Sequence, residues 1–356
     1  MSHQQQVRLP PLEARAALSK VLLQRARIPK PPPPGFDPLS AADEHLFAHG
    51  LPQRPDKAAF PREYAAWEQV LSRRLAFVAP SFQIMEEDSN AAPEPAPEEH
   101  QGKTWSGAVL KDPPEDTSFC AIRASWTVTR AYPRNSAWEE WGWNNSRYKA
   151  GTWIGLDGYH YKEDKSRDVL QAGTAERCVV STHQTIKQPT LAWFEWFPMA
   201  PVWFSNLEVQ PGDLVDCFIY GPNFLGDNNS FREALIIFIN RSACTYSSVF
   251  LPEPDDADFK GDTAEWIIEG HDRGKSLPYL GATTFRECTA IAVTPTKSHK
   301  YLDLTGATLL DLVVDGVVVS RPVIENPKVL SILGEDRDVR LTRQSGVSDM
   351  PPNVAG

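Results

Sequence analysis

From Thr104 onward the chain is a succession of short segments rich in Val, Ile, Trp, Phe and Thr, cut apart by Gly, Pro, Asn and Asp. Such segments form half-buried or fully buried strands, because β-branched and aromatic side chains fit a pleated surface and the intervening residues make turns. The clearest are 119–128, 151–156, 191–197, 213–220, 234–239, 264–269 and 308–319. No long helical periodicity separates them, which excludes the alternating pattern of a parallel α/β sheet and predicts an antiparallel β-sandwich.

Side chains alternate between the two faces of a strand. In 263–269 this places Glu265, Ile267 and Glu269 on one face and Trp266 and Ile268 on the other. In 153–157 Trp153, Gly155 and Asp157 oppose Ile154 and Leu156, and in 191–197 Trp193 shares a face with Glu195. For any one strand, a solvated charged face with an incidental Trp explains the pattern. Three strands that each bury an apolar row and set carboxylates beside tryptophans opposite it point to a concave, partly desolvated cleft.

The net charge of −10 opposes a nucleic-acid binder, which needs clustered Lys and Arg to neutralise phosphate. No apolar run approaches the roughly 20 residues that span a bilayer, so no membrane partner is expected. Five scattered cysteines, Cys120, Cys178, Cys217, Cys244 and Cys288, with no C-x-x-C pair, make neither a disulfide framework nor a zinc site. His45 and His49 have the i, i+4 spacing of a metal pair but lack the surrounding H-E-x-x-H motif and read as a solvated helix face. There is no G-x-S-x-G elbow and no phosphate-cradling glycine loop.

Residues 1–103 differ in kind. Proline runs at 31–34 and 93–97 favour extended tethers, and helices are expected over 13–26 and from Pro61, where Tyr64, Trp67, Leu71 and Leu75 recur at helical spacing. Residues 1–103 thus read as a pro-like or accessory segment, 104–325 as the sandwich and 326–356 as a flexible tail. Residues 1–30 do not form a secretory leader, since their best apolar run, near 21–23, is short and followed by Arg25 and Arg27. Sequons at Asn144, Asn228 and Asn240 fit a secreted chain but also arise by chance.

An ordered set of motifs resembles the glutamic peptidases, or eqolisins: Trp105-Ser106-Gly107-Ala108, Ser125-Trp126-Thr127-Val128, Trp153-Ile154-Gly155-Leu156-Asp157-Gly158, Leu170-Gln171-Ala172-Gly173, Ala192-Trp193-Phe194-Glu195-Trp196-Phe197-Pro198, Ala264-Glu265-Trp266-Ile267-Ile268-Glu269 and Leu280-Gly281-Ala282-Thr283-Thr284-Phe285. The resemblance runs from about residue 105 to 323. It implies a concanavalin-like sandwich of two long sheets with the site on a concave face, and an acid endopeptidase that acts as a monomer on protein or peptide substrates without metal or cofactor. It also implies secretion, against the missing leader.

The resemblance places the catalytic pair on Gln171 and Glu269, with Trp153, Asp157, Trp193, Glu195 and Glu265 lining the cleft. The residue types suit the chemistry: a carboxylate deprotonates water and later protonates the leaving amine, and an amide N–H stabilises the developing oxyanion. Neighbouring carboxylates should raise some carboxyl pKa values.

The chain departs from the family pattern where Thr129 follows Trp126-Thr127-Val128, where Leu191 replaces an acidic cleft residue, and where Cys288 lacks a partner near Val318. The stretch 138–143, Trp-Glu-Glu-Trp-Gly-Trp, reads equally as a lip of the cleft or as plain packing. Two rivals share the fold: a catalytically silent carbohydrate- or peptide-binding module, and a paired-carboxylate glycosidase, whose Glu-x-Asp-x-x-Glu type of motif is not found.

Overall fold

The computed structural model describes residues 11–85, 101–102, 104–133, 146–159, 165–166, 168–181, 184–187, 189–224, 232–270 and 277–335. Its helices are α1 (Leu12–Arg25), α2 (Asp43–Ala48) and α3 (Pro61–Leu71). Its strands are β1 (Ala76–Phe77), β2 (Phe82–Ile84), β3 (Gln101–Gly102), β4 (Trp105–Lys111), β5 (Ser118–Thr127), β6 (Ser146–Leu156), β7 (Val169–Ser181), β8 (Gln184–Lys187) and β9 (Thr190–Phe197). There follow β10 (Val202–Val209), β11 (Leu214–Tyr220), β12 (Glu233–Asn240), β13 (Thr245–Pro252) and β14 (Thr263–Gly270). The last are β15 (Ala282–Val293), β16 (His299–Leu302), β17 (Thr308–Val314), β18 (Val317–Asn326) and β19 (Val329–Gly334).

Two antiparallel layers form the sandwich read from the sequence. One runs β17–β4–β14–β6–β7–β9–β10–β2. The other runs β13–β12–β11–β5–β15–β19–β18–β17. β17 pairs with both layers and makes the ladder continuous. The inner faces interdigitate as one core, in which Trp126, Phe238 and Phe285 from one layer meet Phe194, Trp196, Phe204 and Trp266 from the other. Burial of each such side chain stabilises by roughly 1.5–3 kcal/mol.

Two boundaries differ from the sequence reading. The segment 308–319 is a hairpin rather than one strand, because Asp315 and Gly316 both take positive φ (50° and 78°) and turn the chain between β17 and β18. The region expected as tail from residue 326 contains β19, which pairs with β15 and β18 and buries Leu330 and Ile332. The polar run before it is a turn, in which Lys328 N–H donates to Asn326 Oδ1 (2.9 Å). Asn240 is buried and donates to Glu208 O and Asp213 Oδ2, so it is no glycosylation acceptor in this fold. Asn144, Asn228 and the 138–143 stretch lie outside the described residues.

The N-terminal segment is part of the sandwich. Leu46, Leu51, Trp67, Val70 and Leu71 cover the outer face of the second layer, against Phe218, Tyr220, Ile237, Ile239, Tyr246 and Phe250. Trp67 donates its indole N–H to Pro52 O (2.9 Å), and Pro61 opens α3 at its first turn, where its missing N–H costs nothing. The chain then crosses the edge of the sandwich: β1 adds to β13 in one layer, and β2 adds to β10 in the other.

Candidate active site

The outer face of the first layer is built in rows by strand register. Glu265, Gly155, Gln171 and Glu195 stand side by side across β14, β6, β7 and β9. The next row holds Ile267, Trp153, Gly173 and Trp193, continued by Trp203 of β10. The third holds Glu269, Gly151, Ala175 and Leu191. Gln171 and Glu269 thus share one face of one sheet, as expected. They are not on neighbouring strands, because β6 lies between β7 and β14, and they are offset by four residues. They face each other diagonally across Trp153, and no hydrogen bond joins them.

Glycines make room for that arrangement. A Cβ at Gly155 would lie 2.9 Å from Trp153 Cζ3, and one at Gly173 would lie 2.0 Å from Thr152 O. Trp153 therefore lies low over the strands, fully buried, edge-on to Trp105 (5.0 Å, 81°). Its Nε1–H donates to Glu269 Oε2 (3.1 Å). Met85 from the end of β2, Trp105, Trp193 and Trp203 complete the apolar walls.

A polar chain fixes the other end of the diagonal. Gln171 Nε2 donates to Glu195 Oε2 (2.7 Å), and Arg15 Nη2 donates to Glu195 Oε1 (3.0 Å). Gln171 Oε1 is buried and has no hydrogen-bond partner. Burial pushes the Glu195 carboxyl up to about 7; Arg15 opposes the rise and the charge of Glu269 adds to it. Burial likewise pushes Glu269 up to about 7, against the Trp105 and Trp153 indoles and the Lys149 ammonium. Glu265, fully buried, is held well above the carboxylate range by burial. Two acids near neutrality on one face, one beside an amide and one beside an indole, can exchange protons with a water and a leaving group in mildly acidic solution.

Of the residues read as site candidates, Gln171, Glu269, Trp153, Trp193, Glu195 and Glu265 come together on this face. Asp157 does not line the cleft. Its backbone turns left-handed (φ 65°), which ends the regular strand, and its fully buried carboxylate is taken up by the loop before β14. There it accepts the backbone N–H groups of Lys260 (2.8 Å), Gly261 (3.0 Å) and Asp262 (2.5 Å) and anchors that loop.

Sequence reading assigned no part in the cleft to Trp105, Lys149 or Met85. The alternation of Trp105, Gly107 and Val109 along β4 carried the first of these. Arg15 lies in the helix expected over 13–26, and nothing local singles it out among the N-terminal cations as the partner of Glu195. Among the described residues no group of three or more His, Cys, Asp or Glu could hold a metal ion.

Residues 103–332 match the Peptidase A4 family. Aspergillopepsin-2 from Aspergillus niger is 22% identical over 243 residues, covering 65% of this chain and 77% of its own. Among solved structures, scytalido-glutamic peptidase with a transition-state-analogue inhibitor aligns at 17% identity and a TM-score of 0.48, over 65% of this chain and 98% of its own. Aspergilloglutamic peptidase from Aspergillus niger aligns at 21% identity and a TM-score of 0.41, over 53% of this chain and 99% of its own.

Proposed function

This chain belongs to the Peptidase A4 family, the glutamic peptidases, and from that membership we propose that it cleaves protein or peptide substrates with Gln171 and Glu269 as the catalytic pair. The supporting observation is the diagonal on one sheet face, with Glu269 held by Trp153 and Gln171 held by Glu195. A substrate strand laid across Trp153 has its scissile carbonyl between the two.

In this reading ionised Glu269 takes a proton from water as that water attacks the carbonyl carbon, and returns it to the leaving amine as the tetrahedral intermediate collapses. Gln171 has two amide N–H groups, of which one is committed to Glu195. The second is free for the oxyanion, and Oε1 accepts from the attacking water. The scheme moves protons between carboxylate, water and amine and requires no metal. Because burial raises Glu269 to about 7, its ionised fraction falls tenfold per pH step well below that value, so the acid limb of turnover should lie near neutrality and little activity should remain near pH 2.

We read residues 11–85 as a permanent lobe rather than a removable pro-segment, since they cover an apolar sheet face and supply edge strands to both layers. The test is digestion of a denatured protein by the purified full chain between pH 3 and 8, with EDTA and with pepstatin. Cleavage insensitive to both, with no shortening of the enzyme, supports the reading. A chain that binds peptides without cutting them would be a silent member of the same fold.

A further inference from the structure

We infer that Arg15 is a positioning residue of this site: it fixes Glu195, and Glu195 fixes the amide of Gln171. Arg15 lies on α1, far upstream of the segment that matches the family, and the inference rests on the peptidase reading of Gln171.

The geometry is specific. Arg15 is 4% exposed, and three acceptors hold its guanidinium: Pro198 O from Nε (2.7 Å), and Met199 O (2.9 Å) and Glu195 Oε1 (3.0 Å) from Nη2. The first two lie in the turn that ends β9, three and four residues beyond Glu195, so the guanidinium ties that turn and the carboxylate together. One helical turn on, Ser19 Oγ donates to Ala200 O (2.9 Å) and accepts from Ala200 N–H (3.0 Å), and Leu22 enters the sandwich core. The helix is thus locked to the β9–β10 turn by its own side chains. It approaches Glu195 from the end of the strand, and none of its hydrogen bonds or ion pairs reaches Gln171, Glu269, Trp153 or Trp193.

The pairing matters because of what an amide can do. A buried carboxylate is costly unless a cation and hydrogen bonds compensate it. Arg15 offsets part of the burial that raises Glu195 to about 7 and so widens the pH range over which Glu195 is ionised; a carboxylate only accepts, so the ionised form selects the rotamer of Gln171 that presents Nε2 to it. Oε1 is then turned away from Glu195 and left as an acceptor. Without Arg15 a protonated Glu195 could donate its O–H to Gln171 Oε1, flip the amide and consume that acceptor. The groups that set the protonation of Glu195 are Arg15 from α1, Gln171 from β7 and the Glu269 charge from β14. Removing Arg15 removes the one cation among them, so Glu195 protonates at higher pH.

The test uses the full chain and the variants Arg15→Gln, Arg15→Lys, Arg25→Gln and Glu195→Gln. Arg25 pairs with Asp255 on the surface and serves as the control. Arg15→Gln should lower kcat by about 100-fold, the scale on which misplacing a reacting group counts. KM should change little, and the acid limb of the pH–rate profile should move to higher pH. Arg15→Lys should recover part of the loss, Arg25→Gln should behave as wild type, and the Arg15→Gln/Glu195→Gln double variant should be no worse than Glu195→Gln alone. A second readout does not depend on activity: the side-chain amide resonance of Gln171 in ¹⁵N-glutamine-labelled protein, assigned by its loss in Gln171→Ala, should shift in Arg15→Gln and stay in place in Arg25→Gln. A wild-type pH profile and an unmoved amide resonance in Arg15→Gln would overturn the inference. So would a rise in activity, which would make the helix a plug. If the wild-type chain cleaves nothing, the peptidase reading falls, while the amide resonance still decides whether Arg15 orients Gln171.

Discussion

The indole of Trp153 donates to the Oε2 of Glu269 at 3.1 Å from the neighbouring strand, and the same ring lies over the diagonal that separates Glu269 from Gln171. One side chain thus sets the floor of the cleft and lowers the proton affinity of an acid that burial raises. Trp153→Phe keeps most of the ring and removes the donor. Glu269 should then titrate higher, the acid limb of kcat/KM should move to higher pH, and activity should fall by about tenfold or more at the wild-type optimum, consistent with one charge-assisted hydrogen bond. A pH–rate profile superimposable on wild type would show that the contact has no part in setting Glu269.

Stability should rise as pH falls from about 8 to about 4.5. Burial raises Glu176 to about 8, Glu195 and Glu269 to about 7, and Asp157 and Asp168 to about 6. A carboxyl whose folded pKa exceeds its unfolded value binds more protons when folded. Its stabilisation is complete below the unfolded pKa and is lost as pH rises through the folded one. Of these five Glu176 is raised furthest: it sits between the sheets, with the hydroxyls of Thr152 (3.0 Å) and Thr174 (2.6 Å) as its partners. Glu176→Gln should flatten the upper part of the profile, as followed by Tm across pH 4.5 to 8.5. A Tm that rises with pH over that range would contradict the burial of these acids.

The N-terminal lobe should be indispensable to folding. Trp67→Ala should cost about 3–5 kcal/mol, the range for truncating a fully buried aromatic, measured by urea unfolding. Deletion of residues 1–85 should give insoluble or partly unfolded protein, because it bares Phe218, Ile237, Ile239 and Phe250. A soluble, fully active deletion variant would return the segment to the role of a removable pro-segment.

The sequence was legible wherever local alternation governs. Glu265, Ile267 and Glu269 share a face because β14 is a regular strand, and Trp193 sits with Glu195 for the same reason. Reading failed where one residue leaves the extended conformation: at Asp157, where φ turns positive and the carboxylate binds the 260–262 backbone, and at Asp315-Gly316, where a turn cuts one apolar run into two strands. Leu330 and Ile332 were passed over because a short strand behind a polar turn resembles a tail. The specific pairing of Arg15 with Glu195 was out of reach of pattern reading, since the two lie 180 residues apart and only the path of α1 along the sandwich edge brings them together.

The most direct test of the account is the activity of Glu269→Gln and Gln171→Ala against a denatured protein substrate across pH 3 to 8, beside the wild-type chain. Glutamine in place of Glu269 keeps the size of the side chain and removes its proton chemistry; alanine in place of Gln171 removes the donor to the oxyanion. The account predicts that wild type cleaves in mildly acidic solution and that each variant loses at least about 100- to 1,000-fold in kcat, with unchanged circular dichroism. Wild-type turnover by Glu269→Gln at any pH in that range would contradict it.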